Sequence, residues 1–460
     1  MEQEAEQWAE TEMSEANFGD KRLNKRVVDI TKAFINCPEE SIPQSTVDWA
    51  KTKGAYRFFD NEKVKPETIL EPHRRASKRR LRHAENGVIL AIQDTSQVHY
   101  NSHRELELGP GPTENGNSLF LHPTLIASDK GVPLGVIDQH IWVREELGSR
   151  GDRREKTIEE KESHKWMRGF RASMDFQAQN KGYKVVTICD REGDIYDLFK
   201  LATEAKQTQD IELLVRSSWD RSLENEELRL KNYIRKQDKM GDYRLKIERN
   251  GRRAERRTHL DIRFSPLTIK PPRSRRHDKQ LKPIELWVVE AVESTPQKGK
   301  DAICWRLLTT YEVTSVEDAK RLLGWYSKRW LIEEYFKVLK SGCKIQQRQL
   351  RTLGRLENCL ALDAIIAWRI LFLVHIGRKM PDLPASLLFS NEECLALYSF
   401  INQTPDPPPR PLRLSDMIGF LAKLGGFLGR KGDGHPGAKV LWRGSWKLPD
   451  IVTTWLIFNS

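Results

Sequence analysis

A chain of 460 residues, 38% of them hydrophobic, is long enough to form two or three domains with sizeable cores. Its 77 lysines and arginines outnumber its 65 acidic residues, and the resulting net charge of +12 favours polyanionic partners. The six cysteines are scattered without CxxC spacing, which argues against a zinc module and a disulfide framework. The acidic N-terminus has no apolar signal segment, so we expect a cytoplasmic protein.

The N-terminal part, residues 1 to about 70, alternates helical runs with breakers and predicts a small helical region. It contains FGDKRLNKR at 18 to 26, whose cations can reach phosphate from a helix start. An ordinary capped surface helix has the same pattern.

Three basic runs follow at 74 to 82, 252 to 257 and 273 to 282. The first, RRASKRRLR, has six cations and no acid, which favours contact with phosphates. Each run can equally be a solvated surface. The candidate DNA-binding residues in the first run are Arg74, Arg75, Arg79 and Arg80.

Two apolar runs end in aspartate and predict buried strands with a carboxylate at the tip. They are VILAIQD, ending at Asp94, and KVVTICD, ending at Asp190. Either aspartate alone is typical of a turn or a helix cap. Further strands are predicted at 121 to 127 and 132 to 143, and a helix at about 160 to 180. Mixed strands and helices indicate an α/β layered domain.

The chain between Asp190 and Glu333 is too long for a single connection. Alternating segments at 243 to 249, 258 to 264 and 286 to 292 predict a largely β insertion there. After residue 341 helical patterns resume. Their longest apolar run, 360 to 376, contains Asp363 and Arg369 and predicts a buried helix rather than a membrane span.

Residues 326 to 340, YSKRWLIEEYFKVLK, predict an amphipathic helix. At about 100° per residue, its polar face gathers Tyr326, Arg329, Glu333, Lys337 and Lys340 within about 80°. Ordinary i,i+4 ion pairs on a solvated face fit the same pattern. A glutamate flanked by cations can also be a metal ligand beside phosphate-binding groups. If Glu333 lies close to Asp94 and Asp190, the three carboxylates repel one another unless divalent cations neutralise them. Oxygen ligands suit Mg²⁺ or Mn²⁺.

The chain resembles bacterial DDE-type cut-and-paste transposases of the insertion-sequence-four family, the group that contains the transposase of transposon five. The resemblance depends on IQDTS around Asp94, ICDREGDIY around Asp190, and the spacing Tyr-x2-Arg-x3-Glu-x6-Lys. Further similar segments are FGDKRLNKR (18 to 26), GAYRFFDN (54 to 61), EKESHKW (160 to 166), LLVRS (213 to 217) and LAKLGGF (421 to 427). The similarity spans nearly the whole chain.

The resemblance implies a mixed α/β (α+β) fold with a ribonuclease-H-like catalytic domain over 71 to 375. A largely β insertion interrupts that domain at about 205 to 315. A helical domain over 1 to 70 would bind DNA ends. A helical region over 376 to 460 would contribute to a homodimer in the synaptic complex.

The implied activity is cleavage of transposon ends by metal-dependent phosphoryl transfer through a hairpin, followed by joining of the 3′ ends to target DNA. Asp94, Asp190 and Glu333 would hold two Mg²⁺ ions, for which Mn²⁺ can substitute. The partners would be double-stranded DNA, as terminal repeats and as target, and no membrane. A nucleoid-associated cytoplasmic location follows from these partners.

The family pattern also assigns DNA contacts. Tyr326, Arg329 and Lys340 match residues that contact phosphates near the scissile bond, and Lys337 lies on the same predicted face. Trp305 and Trp330 match aromatics at a flipped-base site, although both are also compatible with packing. Arg216 matches an arginine of the hairpin-binding insertion. Arg306 does not match, because the family has an apolar residue after this tryptophan, and the shape of the pocket around Trp305 is left open.

Two other classes share parts of this pattern. A metal-dependent nuclease or resolvase shares the carboxylates but should lack Trp305 and the cations around Glu333. A domesticated or regulatory DNA-binding protein should have lost a carboxylate. All three carboxylates are intact, which favours the active enzyme.

Overall fold

A computed structural model describes residues 8–46, 48–100, 118–144, 161–224, 227–247, 256–275, 277–296, 302–430 and 433–459. Most of the basic run 252 to 257, and Glu160 of the EKESHKW segment, lie outside these ranges. The chain divides into two compact units. The first unit comprises Met1–Glu85, Thr95–Leu147 and Leu331–Ser460, and the second comprises Asn86–Asp94 and Gly148–Trp330.

Helices and strands are numbered here in chain order. The helices are α1 (Lys21–Asn36), α2 (Ile42–Thr46), α3 (Trp49–Phe59), α4 (Pro66–Arg80), α5 (His164–Gln179), α6 (Tyr196–Lys206), α7 (Leu230–Lys236), α8 (Val316–Ser327), α9 (Trp330–Lys337), α10 (Leu353–Lys379), α11 (Asn391–Asn402), α12 (Leu414–Leu424) and α13 (Ala438–Asn459). The strands are β1 (Val88–Gln93), β2 (Ser96–His99), β3 (Ser118–Ser128), β4 (Pro133–Trp142), β5 (Lys184–Cys189), β6 (Ile211–Arg216), β7 (Gly241–Ile247), β8 (Arg256–Ile269), β9 (Ile284–Glu293) and β10 (Cys304–Thr309).

The first unit is mainly helical and is organised around α10. This helix is apolar on all sides, and it packs against α1, α3, α4, α12, α13 and β4. By length and composition α10 could cross a membrane, but its apolar residues are buried inside the protein, as in a core helix. Strands β2, β3 and β4 of the same unit pair antiparallel.

The second unit contains a sheet in the order β1-β5-β6-β10-β9-β8-β7. Strands β1, β5 and β6 are parallel, whereas β10, β9, β8 and β7 continue the sheet with antiparallel pairing. Helix α5 packs on β5 and β1, and α6 packs on β6. Parallel strands connected through packed helices put their carboxyl ends at one edge of the sheet. The prediction of a mixed α/β fold is confirmed.

The predicted strands agree well with the structure. The runs before Asp94 and Asp190 form β1 and β5, and the alternating segments of the predicted insertion lie in β7, β8 and β9. The alternating hydrophobic pattern predicts β8 correctly because successive residues of this strand point to a buried and to an exposed face in turn.

The prediction of one continuous helix over 326 to 340 is wrong. Helix α8 ends at Ser327, where the backbone amides of Lys328 and Arg329 donate to Trp325 and Tyr326 in tight closing turns. A new helix, α9, begins at Trp330 and continues into a π-helical turn at Val338–Gly342. The apolar face predicted for 331 to 339 is buried as expected. Tyr326, however, is only 4% exposed and does not belong to an open polar face.

Candidate active site

The two strand-tip aspartates are neighbours at one edge of the second unit's sheet. In the parallel β1–β5 pair Ile92 is opposite Ile188, and continuing this register sets Asp94 beside Asp190. Neighbouring strands are about 4.8 Å apart, so the two carboxylates are close. In the β5–β6 pair Cys189 is opposite Val215, so the same row continues from Asp190 to Arg216.

Asp190 also caps a turn, as the simpler interpretation of its position predicted. Its Oδ1 accepts a hydrogen bond of 2.8 Å from the amide of Glu192, at the start of the 3₁₀ turn Arg191–Gly193. This bond orients the carboxylate without enclosing it. A capping role and a role in the site are therefore compatible.

Burial and neighbouring charges shift the pKa values of the groups at this edge of the sheet. Burial raises the pKa of Asp190, and the hydrogen bond from the Glu192 amide, followed by the charges of Arg329 and Lys165, partly offsets this effect. The pKa of the buried Cys189 thiol is raised well above its usual value by burial and by the charges of Asp190 and Asp94. A nearby positive charge is therefore needed at this edge of the sheet.

Arg329 supplies that charge. Its Nη1 donates a hydrogen bond of 2.8 Å to Oδ2 of Asp94, and both side chains are 18% exposed. A partly buried ion pair of this kind is stronger than a surface pair. In this state Arg329 holds the carboxylate that was predicted to be a metal ligand.

Tyr326, Trp305 and Arg216 form a second cluster in the same unit. The Trp305 and Tyr326 rings meet edge to face, with centroids 5.5 Å apart. Arg216 donates through Nη2 to the carbonyl oxygen of Cys304 at 3.1 Å. Burial raises the pKa of Tyr326, while Arg329 and Arg216 act in the opposite direction. Trp305 is half-buried, so part of its indole can still receive a ligand.

Arg306, the departure from the family pattern, is buried in an ion pair with Glu290 on β9. The two residues are register partners in the β9–β10 pair. Successive residues of a strand point to opposite faces of the sheet, so Arg306 points away from the face that carries Trp305. The extra cation therefore does not fill the surroundings of Trp305.

The remaining residues of the spaced motif follow Arg329 in the chain. Trp330 is 56% exposed, and Lys337 is exposed. Glu333 is half-buried in the first turn of α9, where the helix dipole favours a carboxylate. Lys340 donates through Nζ to the carbonyl oxygen of Gln97 at 2.6 Å, and burial lowers its pKa.

The Arg80 side chain, one of the predicted DNA contacts, is directed into the protein and is only 12% exposed. Its guanidinium donates to both oxygens of the buried Glu12 and to the carbonyl oxygen of Leu134, and it stacks on Trp368 at 4.0 Å. The other three candidate arginines, Arg74, Arg75 and Arg79, are more exposed, and each has an acidic neighbour in Glu15 or Glu71. All four arginines remain predictions as DNA contacts, and the internal partners of Arg80 make it the weakest of them.

The aspartate pair fits a divalent cation by the chemistry of its donors, since Mg²⁺ and Mn²⁺ prefer carboxylate oxygens. Within the described ranges, no group of three or more His, Cys, Asp or Glu side chains is already arranged as a metal site. One oxygen of Asp94 accepts a hydrogen bond from the Arg329 guanidinium.

Sequence reasoning missed Asp194, which follows Asp190 in the same motif. Its side chain is fully buried and accepts hydrogen bonds from the amides of Ser218 and Trp219 and from Nε of Arg221. The carboxylate thereby fixes the segment that leaves β6. Only its place within ICDREGDIY could have drawn attention to it, because burial of a charge is not visible in a sequence.

Comparison with known protein families gives three matches that follow one another along the chain. Residues 5–64 match the family described as transposase DNA-binding, and residues 181–368 match the transposase DDE domain. Residues 365–454 match the transposase Tn5 dimerisation domain. A solved structure of a piggyBac transposase synaptic complex with hairpin DNA is also similar, with 9% identity and a TM-score of 0.33. That similarity covers 76% of this chain and 67% of the other, and at this score it does not establish a shared fold.

A DNA-binding domain joined to a DDE domain with a ribonuclease-H-like α/β sheet defines a DNA transposase, an enzyme that cleaves and transfers DNA with divalent metal. The match to the Tn5 dimerisation domain identifies the group of transposases to which the chain belongs. The chain belongs to the Tn5-like DDE transposases.

Proposed function

We propose that this transposase cleaves transposon ends through a hairpin intermediate and joins the free 3′ ends to target DNA. The observation that carries the proposal is the row of Asp94, Asp190 and Arg216 at adjacent strand ends, with Arg329 bonded to Asp94. Two acids and two cations at one edge can bind a metal and a phosphate together.

Asp94, Asp190 and Glu333 are the proposed ligands of two Mg²⁺ ions. When bound, these ions would activate the attacking oxygen and stabilise the negative charge on the leaving oxygen at phosphorus. The carboxylates hold their position because β1 and β5 are buried strands and because Asp190 is oriented by its bond to the amide of Glu192. Two ions, and Mg²⁺ in particular, are part of the proposal.

The cations of the spaced motif bind and orient DNA. Arg329 releases Asp94 and presents its planar donors to a phosphate oxygen near the scissile bond. Lys340 and Lys337 bind further phosphates of the same DNA strand as point charges. Tyr326 acts mainly through packing, because its ring supports Trp305 and its hydroxyl is buried.

Formation of a hairpin requires a sharply bent backbone, so a base near the tip must leave the stack. Trp305 is the proposed acceptor of that base, with Arg216 beside it on the neighbouring strand. The exposed Trp330 is a second aromatic available for this step.

The proposed partners are double-stranded terminal repeats, target DNA and a second copy of the chain. Exposed cations on α1 and α3 suit duplex DNA, namely Lys21, Arg22, Lys25, Lys51, Lys53 and Arg57. The proposed domains are 1 to 70 for end binding, 71 to 375 for catalysis with an insertion at about 205 to 315, and 376 to 460 for dimerisation. We place the protein in the cytoplasm, on the nucleoid.

The test is a denaturing gel of a labelled DNA end taken from the sequence that flanks the gene. With Mg²⁺, the wild-type protein should give a nicked strand, then a hairpin, then a double-strand break. The Asp190→Asn variant should bind the same DNA and give none of these products. Breaks that form without a hairpin at any time would show a simple nuclease instead.

A further inference from the structure

The segment that leaves β6, residues 217 to 222, displays a large apolar side chain to solvent. Trp219 is 65% exposed, although few large hydrophobic side chains of the described residues are so accessible. Leaving an indole in water brings no stability to the fold. The exposed Trp219 side chain is therefore better explained by a binding role than by a role in folding.

The backbone under Trp219 is firmly held. Its amide donates to Oδ2 of Asp194 at 2.9 Å, and the preceding amide, that of Ser218, donates to the same oxygen at 2.7 Å. The amide of Ser217 donates to the carbonyl oxygen of Arg306 at 2.7 Å. On the other side, Arg221 is bonded to the Asp194 carboxylate and lies over the ring of Phe199. The segment thus presents an exposed aromatic from a preorganised backbone.

Trp219 lies close to the proposed reaction centre in the same unit. It comes three residues after Arg216, which is in register with Asp190 and Asp94. Three residues of chain span at most about 10 Å. A DNA strand whose phosphate reached the aspartates could therefore bring a neighbouring base to this indole.

Cations border the segment on the side of α7. Arg229, Lys231 and Arg235 are exposed, and the helix contains no acidic residue. Arg235 is near enough to Cys304, beside Trp305, for its charge to act on that thiol's pKa, which burial raises overall. An exposed indole next to cations suits a nucleic-acid strand better than an apolar protein surface.

We infer that Trp219 is a further stacking residue, separate from Trp305 and Trp330, which takes an unpaired base of the DNA end beside the cleavage site. This inference rests on the proposed DNA-cleaving function of the same sheet edge. Trp305 and Trp219 lie on different strand connections, one on β10 and one after β6, so they can hold different bases. The ligand class is a frayed or single-stranded nucleotide attached to duplex DNA.

The test compares two DNA ends bound in Ca²⁺, which supports assembly with little cleavage. One end is blunt, and the other carries four unpaired nucleotides with 2-aminopurine at each position in turn. Stacking on an aromatic contributes enough that Trp219→Ala should weaken binding of the extended end about 5- to 100-fold. Binding of the blunt end should change less than about twofold, and Trp219→Phe should recover part of the loss.

The 2-aminopurine signal reports the contact directly. Wild-type protein should quench the emission at one position, and Trp219→Ala should restore it. Met240→Ala, which removes another exposed apolar side chain of the same unit, is the matched control and should leave quenching and affinity unchanged. Thermal unfolding of Trp219→Ala should match the wild type, because the side chain is exposed.

Two results would overturn the inference. One is quenching that persists in Trp219→Ala, and the other is an equal loss of affinity on blunt and extended ends. Cleavage in Mg²⁺ by the same wild-type preparation separates the two proposals. If cleavage occurs and Trp219 has no effect, only this inference fails, whereas a protein that neither binds nor cleaves DNA overturns the proposed function as well.

Discussion

Arg329 Nη1 lies 2.8 Å from Oδ2 of Asp94, so the cation assigned to a DNA phosphate neutralises the carboxylate assigned to a metal. This ion pair couples metal binding by Asp94 to phosphate binding by Arg329. A metal at Asp94 competes with Arg329 for that carboxylate, which favours a shift of the guanidinium toward a phosphate. Loading of metal and capture of DNA should therefore favour each other.

The first prediction concerns this competition. Replacement of Arg329 by alanine should raise the affinity of the DNA-free protein for Mn²⁺ about fivefold, since an ion pair of this exposure contributes about 1 kcal/mol. Cleavage should nevertheless fall, because a phosphate contact is lost. Electron paramagnetic resonance of free Mn²⁺ measures the affinity. Arg321→Ala, which removes an exposed cation paired with Asp318, is the control, and unchanged Mn²⁺ binding in Arg329→Ala would refute the competition.

The second prediction separates two arginines of one basic run. Arg80→Ala should destabilise the protein by about 3–5 kcal/mol, because it leaves the Glu12 carboxylate buried without its cation. The dependence of DNA binding on salt should not change. If Arg79 contacts phosphate, Arg79→Ala should reduce the slope of log K against log salt by about 0.9 with little effect on stability. A reduced salt slope in Arg80→Ala with little loss of stability would instead show that Arg80 contacts DNA.

The third prediction concerns acid stability. Burial raises the pKa of Glu12, but Arg80 and His73 outweigh it and lower the pKa to about 2. His73 donates from Nδ1 to Glu12 and accepts from the amide of Val136 at Nε2, which suits a neutral ring, and burial lowers its pKa. Both groups therefore bind protons more readily in the unfolded chain.

Stability from Glu12 is present above its unfolded pKa of 4.5 and is lost as pH falls toward about 2. The shift corresponds to about 3 kcal/mol. Thermal unfolding should show a melting temperature that decreases below about pH 6.5, first through His73 and then through Glu12. Glu12→Gln should flatten the decrease below pH 4.5. An identical acid profile in the variant would show that this cluster does not control acid stability.

The fourth prediction concerns hairpin formation. Trp305→Ala should nick DNA at a nearly normal rate but form the hairpin slowly, because loss of stacking costs about 1–3 kcal/mol. Nicked DNA should then accumulate, and an abasic nucleotide at the flipped position should partly restore the reaction. Equal slowing of both steps, or a large loss of thermal stability, would make Trp305 a packing residue.

Local patterns predicted the strands and the aspartates well. Buried strands such as β1 and β5 are apolar runs of fixed length, and their register follows from parallel pairing once the sheet is known. The sheet itself could not be derived from hydrophobicity, because many α/β folds contain such strands. The family resemblance was needed to select one.

The break before α9 and the burial of Arg80 could not be predicted for a different reason. Both depend on tertiary contacts: Tyr326 turns inward to meet Trp305, and Arg80 turns inward to meet Glu12, 68 residues away in the chain. A run of cations looks the same whether it faces DNA or a buried carboxylate. The same limit applies to Asp194, whose role is visible only from its hydrogen bonds.

The most direct test of the central claim is end cleavage by the wild type and by Asp94→Ala, Asp190→Ala and Glu333→Ala, with end binding measured alongside. Each variant should bind DNA within a few fold of the wild type but should not cleave it. Wild-type cleavage should require Mg²⁺ or Mn²⁺ and should be slight in Ca²⁺, whose looser coordination misplaces the reacting oxygens. Full cleavage in EDTA, or near-normal cleavage by any of the three variants, would contradict the central claim.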